Sequence, residues 1–268
     1  MRLFAPLWRN RMKKEPIILA LVGKGGVGKT SISALIVRLL MQRYPDKRIL
    51  AIDADPAIGL ATALGVEVYA TVDDIRKSFV RSVEAGDSGA AIALLGEARY
   101  QLLEALTEQD NLAFLAIGRP EAAGCYCKVN AYLKEVIRYI AENFDYVVID
   151  GEAGIEQVNR RVMETVTHLI LVSDASKKGL QVVKTIHQVE KEMVLFQKAG
   201  LILNRVPEQA CNIPLDTGEL EVLARIPEDP KLSYSDMLGN NIFSLDEYAA
   251  TVQGTKEALE TFNLYGKG

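Results

Sequence analysis

The residues with the clearest chemical meaning are the eight from Gly23 to Thr30, whose sequence is Gly-Lys-Gly-Gly-Val-Gly-Lys-Thr. They match the pattern G-x-x-x-x-G-K-[ST], in which backbone N–H groups converge on phosphate oxygens. Lys29 is suited to neutralise the β and γ phosphates of a nucleotide, and Thr30 to bind Mg²⁺. The predicted phosphate-binding residues are Gly25, Gly26, Val27, Gly28, Lys29, Thr30 and Ser31.

Acidic residues at the ends of two apolar runs are the second feature. Asp53 and Asp55 follow one run, and Asp150 ends another. Ligands of open α/β sheets bind outside the carboxyl ends of the strands. We therefore expect these carboxylates beside the phosphate loop, although Asp53 also suits the capping of a helix.

A pair of cysteines, Cys125 and Cys127, precedes an amphipathic stretch over residues 128–142. Two thiolates are half of a tetrahedral ligand set, and a symmetric dimer would supply the other half. Thiolates suit Zn²⁺, Cu(I) or an iron–sulfur cluster, and square-planar sulfur suits Ni²⁺, so the metal stays open. The alternative is that both cysteines pack as small apolar residues. Cys211 stands alone, and we expect no metal role for it.

These motifs lie within alternating apolar and amphipathic segments. After residue 15 the pattern predicts an α/β fold, a doubly wound and mostly parallel sheet with helices on both faces. The predicted strands are 16–22, 48–53, 111–117, 145–150, 168–172, 200–204 and 221–226. Residues 71–109 lack a strand-like run, and we predict a helical insertion there.

The composition limits the classes of function. Without a linker-like tract, we predict a basic extension over residues 1–15 and one domain over 16–268. A net charge of -4 argues against a nucleic-acid partner. The chain shows neither an apolar run of membrane-spanning length nor a secretory signal, so we expect a cytoplasmic protein. The basic and apolar residues of the extension leave attachment to a membrane surface as an alternative to local packing.

Lys24 gives the phosphate loop the form K-G-G-x-G-K-T. This form resembles the deviant Walker A ATPases, the group that includes MinD, ParA and the nitrogenase iron protein. The resemblance implies hydrolysis of ATP to ADP with Mg²⁺ by a homodimer, in which Lys24 reaches the partner's nucleotide. It also implies that Asp55 orients or deprotonates the attacking water and that Asp150 holds a water on Mg²⁺. The alternative for Lys24 is an ion pair with a local carboxylate.

Further site residues are implied by the same resemblance. Gly154 would bring a backbone N–H to the γ-phosphate, whereas the neighbouring Glu152 and Glu156 also suit the start of a helix. The implied contacts to the base are Asn204, Arg205, Pro227 and Asp229, with Asn204 bonded to adenine. The chain departs from the family after Pro56, where relatives often carry asparagine.

The combination of this loop with Cys125 and Cys127 resembles the CooC-type ATPases, which insert nickel into carbon monoxide dehydrogenase. The resemblance implies an ATP-dependent metallochaperone that holds Ni²⁺ or Zn²⁺ between two subunits, with carbon monoxide dehydrogenase or acetyl-CoA synthase as its client. Electron transfer is an alternative, but iron proteins space their cysteines farther apart. Positioning of the MinD or ParA kind is another, but we see no membrane helix or basic face in the C-terminal sequence.

Overall fold

The computed structural model describes residues 15–84, 97–118, 127–151, 162, 165–193 and 195–266. The strands of these residues are β1 (Ile17–Gly23), β2 (Ile49–Asp53), β3 (Thr107–Gln109), β4 (Leu112–Ala116), β5 (Tyr146–Asp150), β6 (Thr165–Ser173), β7 (Leu195–Val206) and β8 (Glu221–Pro227). Their helices are α1 (Lys29–Arg43), α2 (Gly59–Leu64), α3 (Val72–Glu84), α4 (97–104), α5 (Cys127–Ala141), α6 (Lys177–Met193), α7 (Pro230–Met237) and α8 (Ala250–Thr261). Two short 3₁₀ turns lie at Glu208–Ala210 and Ile242–Ser244.

The eight described strands form one sheet in the order β3-β4-β2-β5-β1-β6-β7-β8. Every pairing is parallel except that of β3 with β4. The predicted α/β class and mostly parallel sheet are therefore confirmed. All residues of β2, β4 and β5 are buried, as expected for central strands covered on both faces.

The strand β3 is the main departure from the prediction for residues 71–109. Helices α3 and α4 occupy much of the described part of this segment, but Thr107–Gln109 forms an edge strand antiparallel to β4. Its three residues are polar and partly or fully exposed. A strand this short has too few residues for an alternating apolar pattern, so the prediction of helices alone was wrong here.

Helices cover both faces of the sheet, and the alternation along β5 shows how. Val147 and Ile149 belong to a buried cluster that includes residues of α3, α5 and α6. Tyr146 and Val148 point to the opposite cluster, which includes residues of α1, α2 and α8. The two apolar layers hold the sheet from both sides, and the carboxyl ends of its strands remain at one edge.

The described residues address the predicted domain division and the search for membrane-spanning segments only in part. Residues 1–14 lie outside the described residues, so the division into an extension and one domain stays a prediction. No helix within the described ranges combines the length and apolar character needed to cross a membrane.

Candidate functional site

The phosphate loop connects β1 to α1, in the predicted position. Gly23, at the end of β1, has a φ of 145°, and a Cβ there would lie 2.1 Å from the carbonyl oxygen of Val172. Gly28, just before α1, has a φ of 92°. Both positions combine a backbone conformation that favours glycine with too little room for a side chain, so the glycines shape the loop.

The opposite side of the loop is open. Gly25 and Gly26 are exposed, and among the described residues other than their chain neighbours, none has an atom within 4 Å of where their Cβ atoms would lie. The residue that precedes α1, Gly28, has no side chain with which to cap the free backbone N–H groups of the first turn. Uncapped N–H groups at a helix N-terminus favour an anion, so this open space fits nucleotide phosphates.

The two lysines of the loop have different surroundings. Lys29 is buried, with 7% of its surface exposed, and its Nζ donates to the carbonyl oxygen of Lys24 at 3.3 Å. The Nζ of Lys24 lies 4.0 Å from Asp174 Oδ2, and both side chains are more than a third exposed. Lys29 is thus held inside the loop, while Lys24 has the local ion pair that we considered as its alternative.

Two buried carboxylates lie on neighbouring strands beside the loop. Asp53 and Asp150 are paired in the register of β2 and β5, and at most 1% of either residue is exposed. Burial raises the pKa of Asp53 to about 7, with a further increase from the charge of Asp150. Burial also raises the pKa of Asp150 to about 6, although Thr30, Ser33 and Lys29 oppose that shift. The pair concentrates negative charge that a cation would stabilise.

Asp150 also carries an unused acceptor. Its Oδ1 accepts a hydrogen bond from Ser33 Oγ at 3.0 Å, whereas the buried Oδ2 has no hydrogen-bond partner within the described residues. Oxygen ligands and waters are what Mg²⁺ prefers. Together with the Thr30 hydroxyl, this carboxylate fits a hydrated Mg²⁺ beside the phosphates.

The segment that connects β2 to α2 lies at the same carboxyl edge of the sheet. The carboxylate of Asp53 accepts hydrogen bonds from the N–H groups of Asp55 at 3.1 Å and Leu60 at 2.8 Å, so it anchors the start of α2. Asp55 is half-buried, and its Oδ1 accepts from the N–H of Ala57 at 2.9 Å. The catalytic role of Asp55 stays a prediction, and the structure places it on the turn that leads into α2.

Asn204 and Arg205 reach the phosphate loop from the end of β7. The Nδ2 of Asn204 donates to the carbonyl oxygen of Val27 at 2.8 Å. The Nη1 of Arg205 donates to the carbonyl oxygen of Gly26 at 3.0 Å. Their contacts to a base stay predictions, but both side chains already support the loop.

Pro227 ends β8 next to another buried carboxylate. Asp229 Oδ1 accepts from the N–H groups of Lys231 at 3.0 Å and Leu232 at 3.3 Å, which caps α7. Its Oδ2 accepts from the N–H of Thr251 in α8 at 2.8 Å. Both oxygens therefore hold helix termini, a structural role that an aspartate before Pro230 at a helix start suggests.

Several predicted residues fall outside the described part of the chain. These are Gly154, the neighbouring Glu152 and Glu156, and Cys125. Cys127 is the first residue of α5, but its side chain is not among those described. Among the described residues, no group of three or more His, Cys, Asp or Glu side chains is arranged to hold a metal ion. Cys211 is half-buried and forms no disulfide within the described residues, and its Sγ lies 3.7 Å from the carbonyl oxygen of Pro207.

Comparison with known proteins accounts for this geometry. A family described as the CobQ/CobB/MinD/ParA nucleotide binding domain matches residues 18–242. The chain belongs to this family. An uncharacterized ATP-binding protein of Methanocaldococcus jannaschii is 35% identical over 249 residues, covering 91% of this chain and 97% of that protein.

Other similar proteins of the MinD/ParA family have more specific names. The carbon monoxide dehydrogenase accessory protein CooC of Rhodospirillum rubrum is 27% identical over 248 residues, covering 85% of this chain and 89% of that one. A solved septum site-determining protein MinD of Pyrococcus horikoshii, in complex with Mg-ADP, has a TM-score of 0.63 at 24% identity. It covers 92% of this chain and 96% of its own.

This MinD/ParA-family protein is therefore a P-loop ATPase that binds ATP. Two residues at the site were missed in the sequence. Ser33, which bonds Asp150, lies one helical turn after Thr30, a spacing that places both on one face of α1. Asp174, the ion-pair partner of Lys24, could not be recognised from its sequence neighbours, because it is the pairing of β1 with β6 that brings it close to Lys24.

Proposed function

We propose that this MinD/ParA-family ATPase is an ATP-driven metallochaperone, which carries nickel as its substrate to a nickel enzyme. Carbon monoxide dehydrogenase or acetyl-CoA synthase would be that client. The pair Cys125 and Cys127 and the similarity to the accessory protein CooC support this proposal. The thiolates of the pair suit Ni²⁺, and Zn²⁺ would bind through the same atoms.

The observation that carries the proposal is that, shortly before Cys125 and Cys127 in sequence, the chain leaves the sheet beside the candidate nucleotide site. Ala116, at the end of β4, is in register with Asp53 at the end of β2, and the N–H of Ile117 donates to the carbonyl oxygen of Asp53 at 2.8 Å. The described chain departs from this edge after Gly118 and resumes as α5 at Cys127. In the sequence, Cys125 precedes α5 and Cys127 begins it, so both follow soon after the chain leaves the sheet edge beside the phosphate loop. This proximity along the chain would couple metal binding to the nucleotide state.

The ATPase would work as a homodimer closed over its nucleotides. The side chain of Lys24 is more than a third exposed, next to the exposed Gly25. It would therefore be able to release Asp174 and reach the nucleotide of a partner subunit. Closure would also bring two cysteine pairs together, and four thiolates complete a metal site. ATP binding would then assemble the metal site, and hydrolysis would open it.

Within each subunit, the described residues divide the work of hydrolysis. The loop N–H groups and Lys29 would bind and orient the phosphates, and Asp150 and Thr30 would bind the hydrated cation. Mg²⁺, when bound, neutralises charge that builds up on the phosphates. Asp55 would orient or deprotonate the attacking water. Gly59, at the start of α2, lies close to Thr30, since a Cβ there would be 3.4 Å from Thr30 Cγ2, so α2 can respond to the contents of the site.

Metal titration tests the proposal. We expect calorimetry with Ni²⁺ and with Zn²⁺ to show about one metal ion per dimer in the presence of a non-hydrolysable ATP analogue. The Cys125→Ser/Cys127→Ser variant should lose this binding while keeping ATP affinity. Cys211→Ser is the matched control and should bind metal as the wild type does. Unchanged metal affinity in the double variant would disprove the metallochaperone role and leave the ATPase assignment intact.

A further inference from the structure

Two consecutive residues at the end of β7 hold two consecutive carbonyl groups of the phosphate loop. Asn204 donates to Val27 and Arg205 to Gly26, with donor–acceptor distances of 2.8 and 3.0 Å. The contacts join parts of the chain that are 177 and 179 residues apart in sequence. Asn204 is buried, whereas Arg205 is exposed and reaches the loop along the surface.

This arrangement requires a break in the strand. Neighbouring side chains of a regular strand point to opposite faces, so Asn204 and Arg205 would not contact the same loop. Arg205 has a φ of 54°, in the left-handed region, and the pairing of β7 with β8 shifts register between Leu203 and Val206. A bulge of this kind re-aims a side chain. Here it brings the guanidinium to the loop that Asn204 already contacts.

The bonded atoms explain what the break achieves. A peptide's N–H and C=O point in opposite directions, so loop N–H groups that face the phosphates leave carbonyl groups facing away from them. Gly26 is exposed, and no described residue beyond its chain neighbours lies within 4 Å of where its Cβ would be, so the bond from Arg205 restrains an otherwise open part of the loop. Donors on the outward carbonyls fix the peptide planes and thereby the direction of the N–H groups. A guanidinium also adds positive potential near the anion site.

We propose that Arg205 is a positioning residue for ATP binding, and that Asn204 and Arg205 together clamp the phosphate loop into its binding conformation before the nucleotide arrives. The strained backbone at Arg205 is the structural requirement for this clamp. The role differs from a contact to the base and is independent of the metallochaperone proposal, since it concerns only the ATPase site.

Three substitutions at one position test the clamp. Arg205→Ala removes the donor and keeps the unfavourable φ, Arg205→Gly removes both, and Arg205→Lys retains one donor. Hydrogen exchange of the loop amides in the nucleotide-free protein should become about 10-fold faster in the Ala and Gly variants. Calorimetry should show about 5- to 30-fold weaker binding of both ADP and a non-hydrolysable ATP analogue. The Lys variant should recover part of this loss.

Further readouts separate positioning from a general structural role. The KM for ATP should rise in the Ala variant, while kcat should fall by less than about threefold. The Gly variant should unfold at a higher temperature than the Ala variant, yet bind nucleotide as weakly, because relief of strain does not restore the clamp. It also serves as the test protein if the Ala variant folds poorly. Unchanged loop exchange in the nucleotide-free Ala variant would overturn the proposal, and so would an affinity loss confined to ATP, which indicates a γ-phosphate contact.

Discussion

Asn204 occupies the space into which a side chain at Gly28 would project, because a Cβ at Gly28 would lie 2.5 Å from Asn204 Nδ2. The φ of 92° at Gly28 adds backbone strain for any other residue. We expect Gly28→Ala to lower the free energy of unfolding by about 2 kcal/mol and to weaken ATP binding by roughly 100-fold or more. Thermal unfolding and calorimetry measure the two effects.

Gly25 provides the control for this prediction, because a Cβ there would meet no atom within 4 Å from any described residue other than its chain neighbours. Gly25→Ala should change the free energy of unfolding by less than about 0.5 kcal/mol. Adding Asn204→Ala to Gly28→Ala should recover some stability, because the collision disappears while the strained φ remains. Equal destabilisation by Gly25→Ala and Gly28→Ala would contradict this explanation.

Asp150→Asn should separate stability from catalysis. Burial raises the pKa of Asp150 to about 6, so the folded state binds this proton more tightly than the unfolded state does. The stability that this group contributes is complete below its unfolded pKa and is lost as pH rises through about 6. The free energy of unfolding of the nucleotide-free variant should therefore be about 1–3 kcal/mol higher than that of wild type near pH 8, and the difference should be much smaller near pH 4.5.

The same substitution should reduce Mg²⁺-dependent ATP turnover by roughly 100-fold or more, because it removes the charge beside the cation. Urea denaturation at the two pH values and a phosphate-release assay measure these effects. Ser33→Ala is the control, since it removes a hydrogen bond to Asp150 and leaves the carboxylate charge in place. A variant that is less stable than wild type at both pH values would refute the assigned burial effect.

His168 should give the opposite dependence on pH. Burial lowers the pKa of this histidine to about 4, with a smaller effect from Lys198, and its ring packs 5.1 Å from that of Phe262. Between the unfolded pKa near 6.5 and the folded value of about 4, only the unfolded state gains the proton. Stability should therefore fall by about 1–3 kcal/mol as pH decreases through this window.

The measurement for His168 is urea denaturation of nucleotide-free wild type and His168→Gln between about pH 7.5 and 4.5. The difference in stability between the two proteins should shrink or reverse as the pH falls, because glutamine does not titrate. A constant difference across this range would show that His168 titrates normally in the folded protein.

Lys24→Ala tests whether the second lysine of the loop acts across a dimer. We expect the variant to bind ATP with nearly wild-type affinity, because Lys29 and the loop N–H groups stay in place. It should lose the ATP-dependent dimer in sedimentation experiments and most of its turnover. Lys178→Ala, which removes an exposed lysine of α6, should affect neither. Full turnover by the Lys24 variant would leave only the local ion pair with Asp174.

Asp229→Ala tests the structural role of a residue that the sequence suggested for nucleotide binding. The substitution removes the hydrogen bonds that hold the first turns of α7 and α8. We expect a loss of about 2–3 kcal/mol in the free energy of unfolding, measured with urea. Glu228→Ala, at the exposed neighbouring position, should have little effect. A stable Asp229 variant with weak ATP binding would instead support the predicted contact of Asp229 to the nucleotide base.

Local patterns in the sequence were sufficient for the loop and for most of the sheet. The glycines and lysines between residues 23 and 30 define a phosphate site by their spacing alone, and apolar runs marked every parallel strand. The same patterns placed Asp150 at a strand end. Such features depend on neighbours within a few residues, so they can be recognised without knowledge of the fold.

Only the tertiary structure decided which strand ends meet. The position of β5 between β2 and β1 places Asp53 beside Asp150 at the centre of the sheet, where burial raises the pKa of both carboxyls. The break at Arg205 turns this side chain onto a loop 179 residues away in sequence. Strand order and a single left-handed residue leave no periodic trace in the sequence, because they arise from long-range pairing. The sequence by itself thus determined that the chain binds phosphate, and the fold determined which distant side chains hold that site in shape.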